Sequence, residues 1–80
     1  MRLFDAIVKR IQDLMTEKQI KQYGLAKKIA ITESSLYDIF YKRQKDITTS
    51  RLYLICDGLD ITIQEFFDSP LFDKANIDLD

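Results

Sequence analysis

The stretch from 22 to 41, QYGLAKKIAITESSLYDIFY, constrains the fold of this chain more than any other part. Apolar or small residues recur in it at three- and four-residue spacing, the period of a helix with one buried face. Thr32 follows a break in this pattern, and threonine caps helix N-termini well. We therefore expect two short helices, 22–29 and 33–41, joined by a tight turn. The apolar and small residues are Leu25, Ala26, Ile29, Ala30, Ile31, Leu36 and Ile39.

Helical signals also lie on both sides of this stretch. Apolar residues at helical spacing between Leu3 and Glu17 predict a first helix there. Further along, Thr48 is the expected cap of a fourth helix that buries Leu52 and Ile55. The 80 residues include only two glycines and one proline and show no long alternating run. The sequence therefore predicts an all-α domain, and no internal repeat is evident in it.

The C-terminal part divides into a last helix and a tail. Thr62 with Glu65 matches the capping box, in which a threonine and a glutamate three residues later satisfy each other's backbone N–H groups. It predicts a short fifth helix, which Pro70 stops. We expect one domain over 1–68 and an acidic tail over 69–80, either flexible or a strand-like arm.

The charge is distributed unevenly along the chain. The net charge is −1, but residues 1–58 hold eleven Lys/Arg against seven Asp/Glu, a net of +4. Residues 59–80 hold one lysine against six acids, a net of −5. The body of the chain is therefore basic and the tail acidic. The body can bind an anionic partner even though the total charge of the chain is slightly negative.

The residue inventory excludes several kinds of site. Without histidine, and with the single Cys56, the chain has no Cys/His metal centre, no histidine-based triad and no internal disulfide. We expect no cofactor, no small-molecule ligand and no enzymatic activity. Cys56 falls on the apolar face of the fourth helix, so we expect a buried thiol and a reducing, cytoplasmic setting. No apolar run approaches the roughly 18–20 residues of a membrane span. Asp5 and Lys9 interrupt the start of the chain, so we expect no signal peptide there.

The ordered series of blocks resembles the lambda-repressor-like, Cro/C1-type (XRE) helix-turn-helix domains. The resemblance covers about residues 5–67. It implies a compact five-helix bundle that binds double-stranded DNA, usually as a dimer. The matching blocks are LAKKIAIT (25–32), SSLYDI (34–39), RLYLICDGLDI (51–61) and TIQEFF (62–67).

The resemblance also assigns roles to residues around the third helix, which would lie in the major groove, where base edges are distinguishable. With the outward-facing Tyr37 added, the base-reading candidates are Thr32, Glu33, Ser34, Tyr37 and Asp38. The resemblance implies phosphate contacts at Gln22, Lys42, Arg43 and Lys45, and the side chains of Lys21, Tyr41 and Arg51 are added as further candidates. Ordinary alternatives exist for these residues: a solvated basic loop, an ion pair for Arg51, and packing on the domain body for the tyrosines.

Four places depart from the family pattern, one of them the pair Tyr41-Lys42 after the third helix, where the family often has Asn-Gly. Lys21 stands where the family usually has a Ser or Thr cap, and Ala30 and Asp60 stand where glycine is common. An alanine held in the left-handed conformation would cost about 1 kcal/mol. These departures affect the geometry of the turns more than the fold.

Two acids on the expected reading helix leave a second function open. Glu33 and Asp38 repel phosphates, although glutamate can accept a hydrogen bond from cytosine N4, and either acid can simply stabilise the helix. The alternative function is a protein-interaction module on the same fold, antitoxin-like or anti-repressor-like. For self-association, we expect Phe67, Leu71 and Phe72 to form an apolar surface at the C-terminal end, while Phe66 closes the core.

Overall fold

The computed structural model describes residues 1–41 and 44–79. It shows five α-helices in the predicted order, followed by two 3-10 turns. The helices are α1 (Leu3–Lys18), α2 (Gln22–Lys28), α3 (Glu33–Phe40), α4 (Thr49–Gly58) and α5 (Ile63–Phe67), and the turns are Pro70–Phe72 and Lys74–Asn76. The all-α, five-helix architecture predicted from the sequence is confirmed. The predicted helix ends differ from the observed ones by about one residue, because the last turn of a helix frays.

One apolar core joins all five helices. Every helix contributes at least one fully buried large side chain, and each such side chain stabilises the fold by about 1.5–3 kcal/mol relative to exposure. α3 contributes two, so it is anchored to the body as firmly as its neighbours. The largest of these side chains are Ile11, Leu25, Leu36, Ile39, Ile55, Leu59 and Phe66.

The helices α1, α2 and α4 end with the same backbone geometry. Just beyond each helix, a residue other than glycine adopts the left-handed conformation: Gln19, Ala30 and Asp60, with φ of 58°, 57° and 59°. The isoleucine next in the chain donates its N–H to the carbonyl five residues back, the Schellman motif. These bonds are Ile20 to Met15 at 2.8 Å, Ile31 to Ala26 at 3.1 Å and Ile61 to Cys56 at 3.1 Å.

The packing of α4 against α2 depends on a glycine. Gly58, the last residue of α4, is buried. A Cβ atom there would collide with the Ile29 side chain and lie 2.8 Å from Cδ1 of Leu25. The absence of a side chain at Gly58 therefore lets α4 pack closely against α2. This close contact holds the end of α2 against the body.

The C-terminal tail, for which the sequence suggested a flexible or strand-like arm, contacts the start of the chain. The Met1 ammonium donates to the Asn76 carbonyl at 2.8 Å. The Asp78 N–H donates to the Met1 carbonyl at 2.9 Å. The pairing of Arg2 with Asp78 is an isolated bridge. The acidic segment gains order from contacts with the other end of the chain, which local composition does not reveal.

A side chain of α1 secures α5. Arg10 donates through Nε to the Phe66 carbonyl at 2.8 Å and through Nη2 to the Glu65 carbonyl at 2.9 Å. The Glu65 carbonyl also accepts from the Asp68 N–H at 3.2 Å, just beyond the helix. The guanidinium therefore adds two bonds to the last turn of α5 and fixes α5 against α1.

Candidate nucleic-acid interface

α3 is buried on one face and exposed on the other. Leu36, Ile39 and Phe40 face the core. The opposite face carries polar and aromatic side chains that the body does not cover. Of the predicted base-reading residues, Thr32, Glu33, Ser34 and Tyr37 are exposed and Asp38 is half-buried.

The second helix braces α3 through a tight turn. Leu25, Ala26 and Ile29 are buried, and the small side chain of Ala26 suits a close crossing of the two helices. The turn is closed by the left-handed Ala30 and by the bond from Ile31 described above. The alanine therefore adopts the conformation in which glycine is usual, and the departure from the family pattern leaves the turn intact at a cost of about 1 kcal/mol.

The start of α3 is capped as predicted. The Thr32 hydroxyl accepts from the Ser35 N–H at 3.0 Å and donates to Ser35 Oγ at 2.8 Å. The proton of this hydroxyl and one of its two lone pairs are therefore engaged with Ser35. Thr32 fixes where α3 begins, and Ser35, half-buried beneath it, belongs to the cap and not to the outer face.

Two tyrosines form a ridge along the exposed face of α3. The rings of Tyr37 and Tyr41 stack with centroids 4.2 Å apart and an interplanar angle of 30°. Tyr41 is 62% exposed, so it does not cover the body of the domain. Glu33, Tyr37 and Tyr41 follow each other at four-residue intervals, the spacing that places side chains in one row on a helix.

The two acids of α3 differ in exposure. Glu33 is exposed in the first turn, where the helix N-terminus favours a negative charge. Asp38 is half-buried one turn later. Within residues 1–41 and 44–79, no hydrogen bond or ion pair holds either carboxylate. Both remain available to a partner, and both make the outer face of α3 acidic.

The predicted phosphate contacts that the structure describes lie at or near the ends of α2, α3 and α4. Lys21 is the exposed N-cap of α2 and makes no side-chain capping bond, and Gln22 follows it half-buried. Lys45 is exposed before α4, and Arg51 is half-buried in the first turn of α4. Thr48 caps α4, accepting from the Arg51 N–H at 3.1 Å. The predicted contacts Lys42 and Arg43 lie outside the described residues.

Two further basic residues lie near the turn. Lys27 and Lys28 are exposed in the last turn of α2, immediately before the turn into α3. The sequence prediction passed over them, although two adjacent lysines beside the turn were a visible signal. They place two positive charges five and four residues before Thr32, the N-cap of α3.

The predicted self-association surface is only partly exposed. Phe67 is 39% exposed and Leu71 is half-buried. Phe72, predicted to face a second copy, packs on the domain's own core, with its ring centroid 5.8 Å from that of Phe66 and 4.8 Å from that of Phe67. Phe72 is half-buried, as Leu71 is, so its part in self-association stays a prediction.

Three other features of the described residues are the cysteine thiol, the grouping of metal-binding side chains and the length of the helices. Burial raises the pKa of the Cys56 thiol to about 11, so it stays protonated and unreactive at neutral pH. Within the described ranges, no three His, Cys, Asp or Glu side chains are grouped so that they could hold a metal ion. None of the helices described is long and apolar enough to cross a membrane.

Comparison with known proteins agrees with this geometry. The model of the Cro/C1-type helix-turn-helix DNA-binding domain matches residues 10–70. Among solved structures, the crystal structure of the prophage Lp1 protein 11 superposes with a TM-score of 0.79 at 21% identity, covering 92% of this chain and 99% of that one. At this identity the likeness concerns the fold alone. No curated protein matches the sequence.

Proposed function

This chain belongs to the Cro/C1-type helix-turn-helix DNA-binding domains, and we propose that it is a sequence-specific transcriptional regulator, most simply a repressor. It acts by binding double-stranded DNA in the cytoplasm, without a cofactor and without catalysing a reaction. In this proposal α3 lies in the major groove, which admits an α-helix and presents a distinct pattern for each base pair.

The observation that carries the proposal is the division of α3 into an anchored face and an open one. Leu36, Ile39 and Phe40 hold the helix on the body. The side chains opposite are polar or aromatic and project from the first two turns, the part of a recognition helix that reaches base edges. The base-reading residues proposed are Glu33, Ser34, Tyr37 and Asp38, with Thr32 positioning the helix through its cap.

The basic residues around α3 supply the non-specific part of binding. Phosphate contacts release counterions, so each one steepens the salt dependence of the association constant by about one unit on a logarithmic plot. The proposed contacts are Lys21, Gln22, Tyr41, Lys42, Arg43, Lys45 and Arg51, with Lys27 and Lys28 added from the structure.

We further propose that the domain, residues 1–68, binds as a homodimer through its C-terminal end. A single short reading helix gains affinity and specificity when two copies bind a two-fold operator. Phe67 remains exposed there and Leu71 is half-buried, while the Asn76 carbonyl in the tail accepts from the Met1 ammonium. Phe67→Ser should weaken the dimer in sedimentation equilibrium, and the matched change Leu79→Ser, at the exposed end of the tail, should not.

The direct test is filter binding of the folded protein to genomic fragments over a series of salt concentrations. We expect selective binding at low ionic strength that weakens steeply as salt is added. Replacing Lys42, Arg43 and Lys45 together by Glu should abolish it. The control makes the same charge change outside the helix-turn-helix, at Lys9, Lys18 and Lys74. Absence of selective, salt-sensitive binding by the folded wild-type protein would contradict the proposal.

The acidic outer face of α3 favours one alternative, a protein-interaction module with weak or no DNA binding. Glu33 and Asp38 would then bond basic or polar groups of a partner protein. The same triple charge reversal separates the two functions. It removes binding if the partner is DNA and leaves binding intact if the partner is a protein that contacts the acids.

A further inference from the structure

The exposed face of α3 lacks the side chains that usually read purines. Its eight residues, ESSLYDIF, include no Arg, Lys, Asn or Gln. Arg and Lys bond guanine, and Asn and Gln bond adenine, through paired contacts in the major groove. The groups that α3 offers instead are carboxylates and hydroxyls, and an ionised carboxylate only accepts hydrogen bonds.

The hydrogen bonds of the Thr32 cap reduce the number of side-chain groups at the start of α3 that can bond an outside partner. The Thr32 hydroxyl both accepts from and donates to Ser35, at 3.0 Å and 2.8 Å, so its proton is engaged within the helix. At the tip of α3 this leaves the Glu33 carboxylate and the Ser34 hydroxyl for an outside partner. Among residues 1–41 and 44–79, nothing bonds the Glu33 carboxylate.

An acceptor in the major groove is matched by only two base edges. Cytosine presents the N4 amino group and adenine the N6 amino group, whereas guanine presents two acceptors and thymine an acceptor and a methyl group. In adenine the amino group stands next to the acceptor N7, which repels the second oxygen of a carboxylate. In cytosine the neighbour of N4 is the apolar C5–H edge. A carboxylate therefore distinguishes cytosine from the other three bases.

The side chains in the row Glu33, Tyr37 and Tyr41 complement the major-groove edge of cytosine. Tyr37 lies one turn further along the same row and stacks on Tyr41, so an aromatic surface adjoins the carboxylate. An acceptor beside an apolar ring complements an amino group beside an apolar C5–H edge. Resting on the proposed function, we propose that Glu33 specifies a cytosine in each half-site that this protein binds.

The test is selection of binding sites from random-sequence DNA with three proteins: the wild type, Glu33→Gln and the control Glu17→Gln. Glu17 is an exposed acid near the end of α1, outside the helix-turn-helix. The wild type should enrich half-sites with cytosine at one position. Glu33→Gln should change that position to adenine, because glutamine bonds adenine through N6 and N7. Glu17→Gln should leave the motif unchanged.

Competition between the two selected half-sites then measures the effect. The wild type should prefer the cytosine site by about tenfold, and Glu33→Gln should reverse the preference. If Glu33→Gln keeps the wild-type motif and only binds every sequence more tightly, Glu33 merely repels phosphates. That result overturns the inference and leaves the proposed function standing. If the folded wild type enriches no motif, the proposed function itself falls.

Discussion

The turn from α2 to α3 and the turn from α4 to α5 share one backbone geometry, but the helices that follow them differ in how they contact the rest of the domain. The segments 25–36 (LAKKIAITESSL) and 55–66 (ICDGLDITIQEF) correspond position by position, thirty residues apart. In both, a left-handed residue (Ala30 or Asp60) is followed by isoleucine and then by a capping threonine. The two threonine hydroxyls each accept from the N–H three residues on at 3.0 Å.

The two turns differ in the residues after the cap. In α5 the Glu65 carboxylate accepts from the Thr62 N–H at 3.1 Å and completes the capping box, and Arg10 donates to the Glu65 and Phe66 carbonyls. In α3 Ser35 replaces that glutamate and pairs with Thr32, and the outer face of α3 remains exposed. The same turn thus begins one helix that α1 holds through Arg10 and another whose polar outer face is left uncovered.

The largest expected effect tests the anchoring of the closing helix. Phe66→Ala should destabilise the protein by about 3–5 kcal/mol, because Phe66 is fully buried and its removal leaves a cavity. The partly exposed neighbour is the comparison, and Phe67→Ala should cost only about 1–2 kcal/mol, for its ring contacts with Phe66 and Phe72. Urea denaturation measures both. Similar losses at the two positions would show that α5 is not anchored as described.

A matched pair of glycines tests the packing before each turn. Gly58→Ala should cost about 1–3 kcal/mol, since its Cβ would meet Leu25 and Ile29 in a full core. Gly24, in the exposed part of α2, has open space around its Cα. Gly24→Ala should therefore stabilise the protein by about 0.5–1 kcal/mol. Thermal unfolding should shift in opposite directions for the two variants, and equal signs would refute the crossing geometry.

Removing the caps compares the two turns directly. Thr62→Ala and Thr32→Ala should each cost about 1 kcal/mol. The loss at Thr62 should be the larger, because the reciprocal bond from Glu65 also weakens when the capping box is broken. Chemical denaturation of the two variants gives the comparison. If Thr32→Ala costs more, the cap of α3 is supported by contacts beyond the pair it makes with Ser35.

Glycine at the left-handed positions should relieve strain in both turns. We expect Ala30→Gly to stabilise the protein by up to about 1 kcal/mol, with the larger flexibility of the unfolded glycine chain reducing the gain. Asp60→Gly should gain less, because aspartate tolerates this conformation better. Ser50→Gly, in the first turn of α4, is the control and should destabilise by about 0.5 kcal/mol. A loss at Ala30 would contradict the assigned φ of 57°.

The smallest effect concerns acid sensitivity of the α5 cap. The bond from the Thr62 backbone N–H, together with the Thr62 side chain, lowers the pKa of Glu65 from its ordinary value of 4.5. A carboxyl with a lowered folded-state pKa stabilises the fold above its unfolded pKa and loses that contribution as pH falls through the folded pKa. The stability difference between wild type and Glu65→Gln should therefore shrink below about pH 4.5. A constant difference would exclude this coupling.

Local signals predicted the helices and their caps correctly. The caps at Thr32, Thr48 and Thr62 join residues three positions apart, and such bonds can be read from spacing alone. The correspondence of the two turns was not visible in the sequence, since only isoleucine and threonine coincide between the twelve-residue segments. The shared geometry comes from backbone bonds, which leave most side chains free to differ.

The candidate site was predicted in part. The exposed face of α3 was expected from helical periodicity, and the structure agrees for Glu33, Ser34 and Tyr37. The engagement of the Thr32 hydroxyl with Ser35 and the stacking of Tyr37 on Tyr41 required coordinates, because rotamers depend on neighbouring side chains. The adjacent lysines Lys27 and Lys28 can be seen in the sequence, but the sequence prediction did not include them among the candidate phosphate contacts.

By itself the sequence determined an all-α chain, the order and capping of five helices, and the helix-turn-helix at its centre. Periodicity and caps involve residues only a few positions apart, so both can be recognised in a single sequence. Only the tertiary structure decided that the acidic tail folds onto Met1, that Phe72 packs on the core and that Gly58 lets α4 meet α2. It also brought Arg10 to the Phe66 carbonyl, 56 positions away. Contacts of that range arise when the core packs, and no local pattern encodes them.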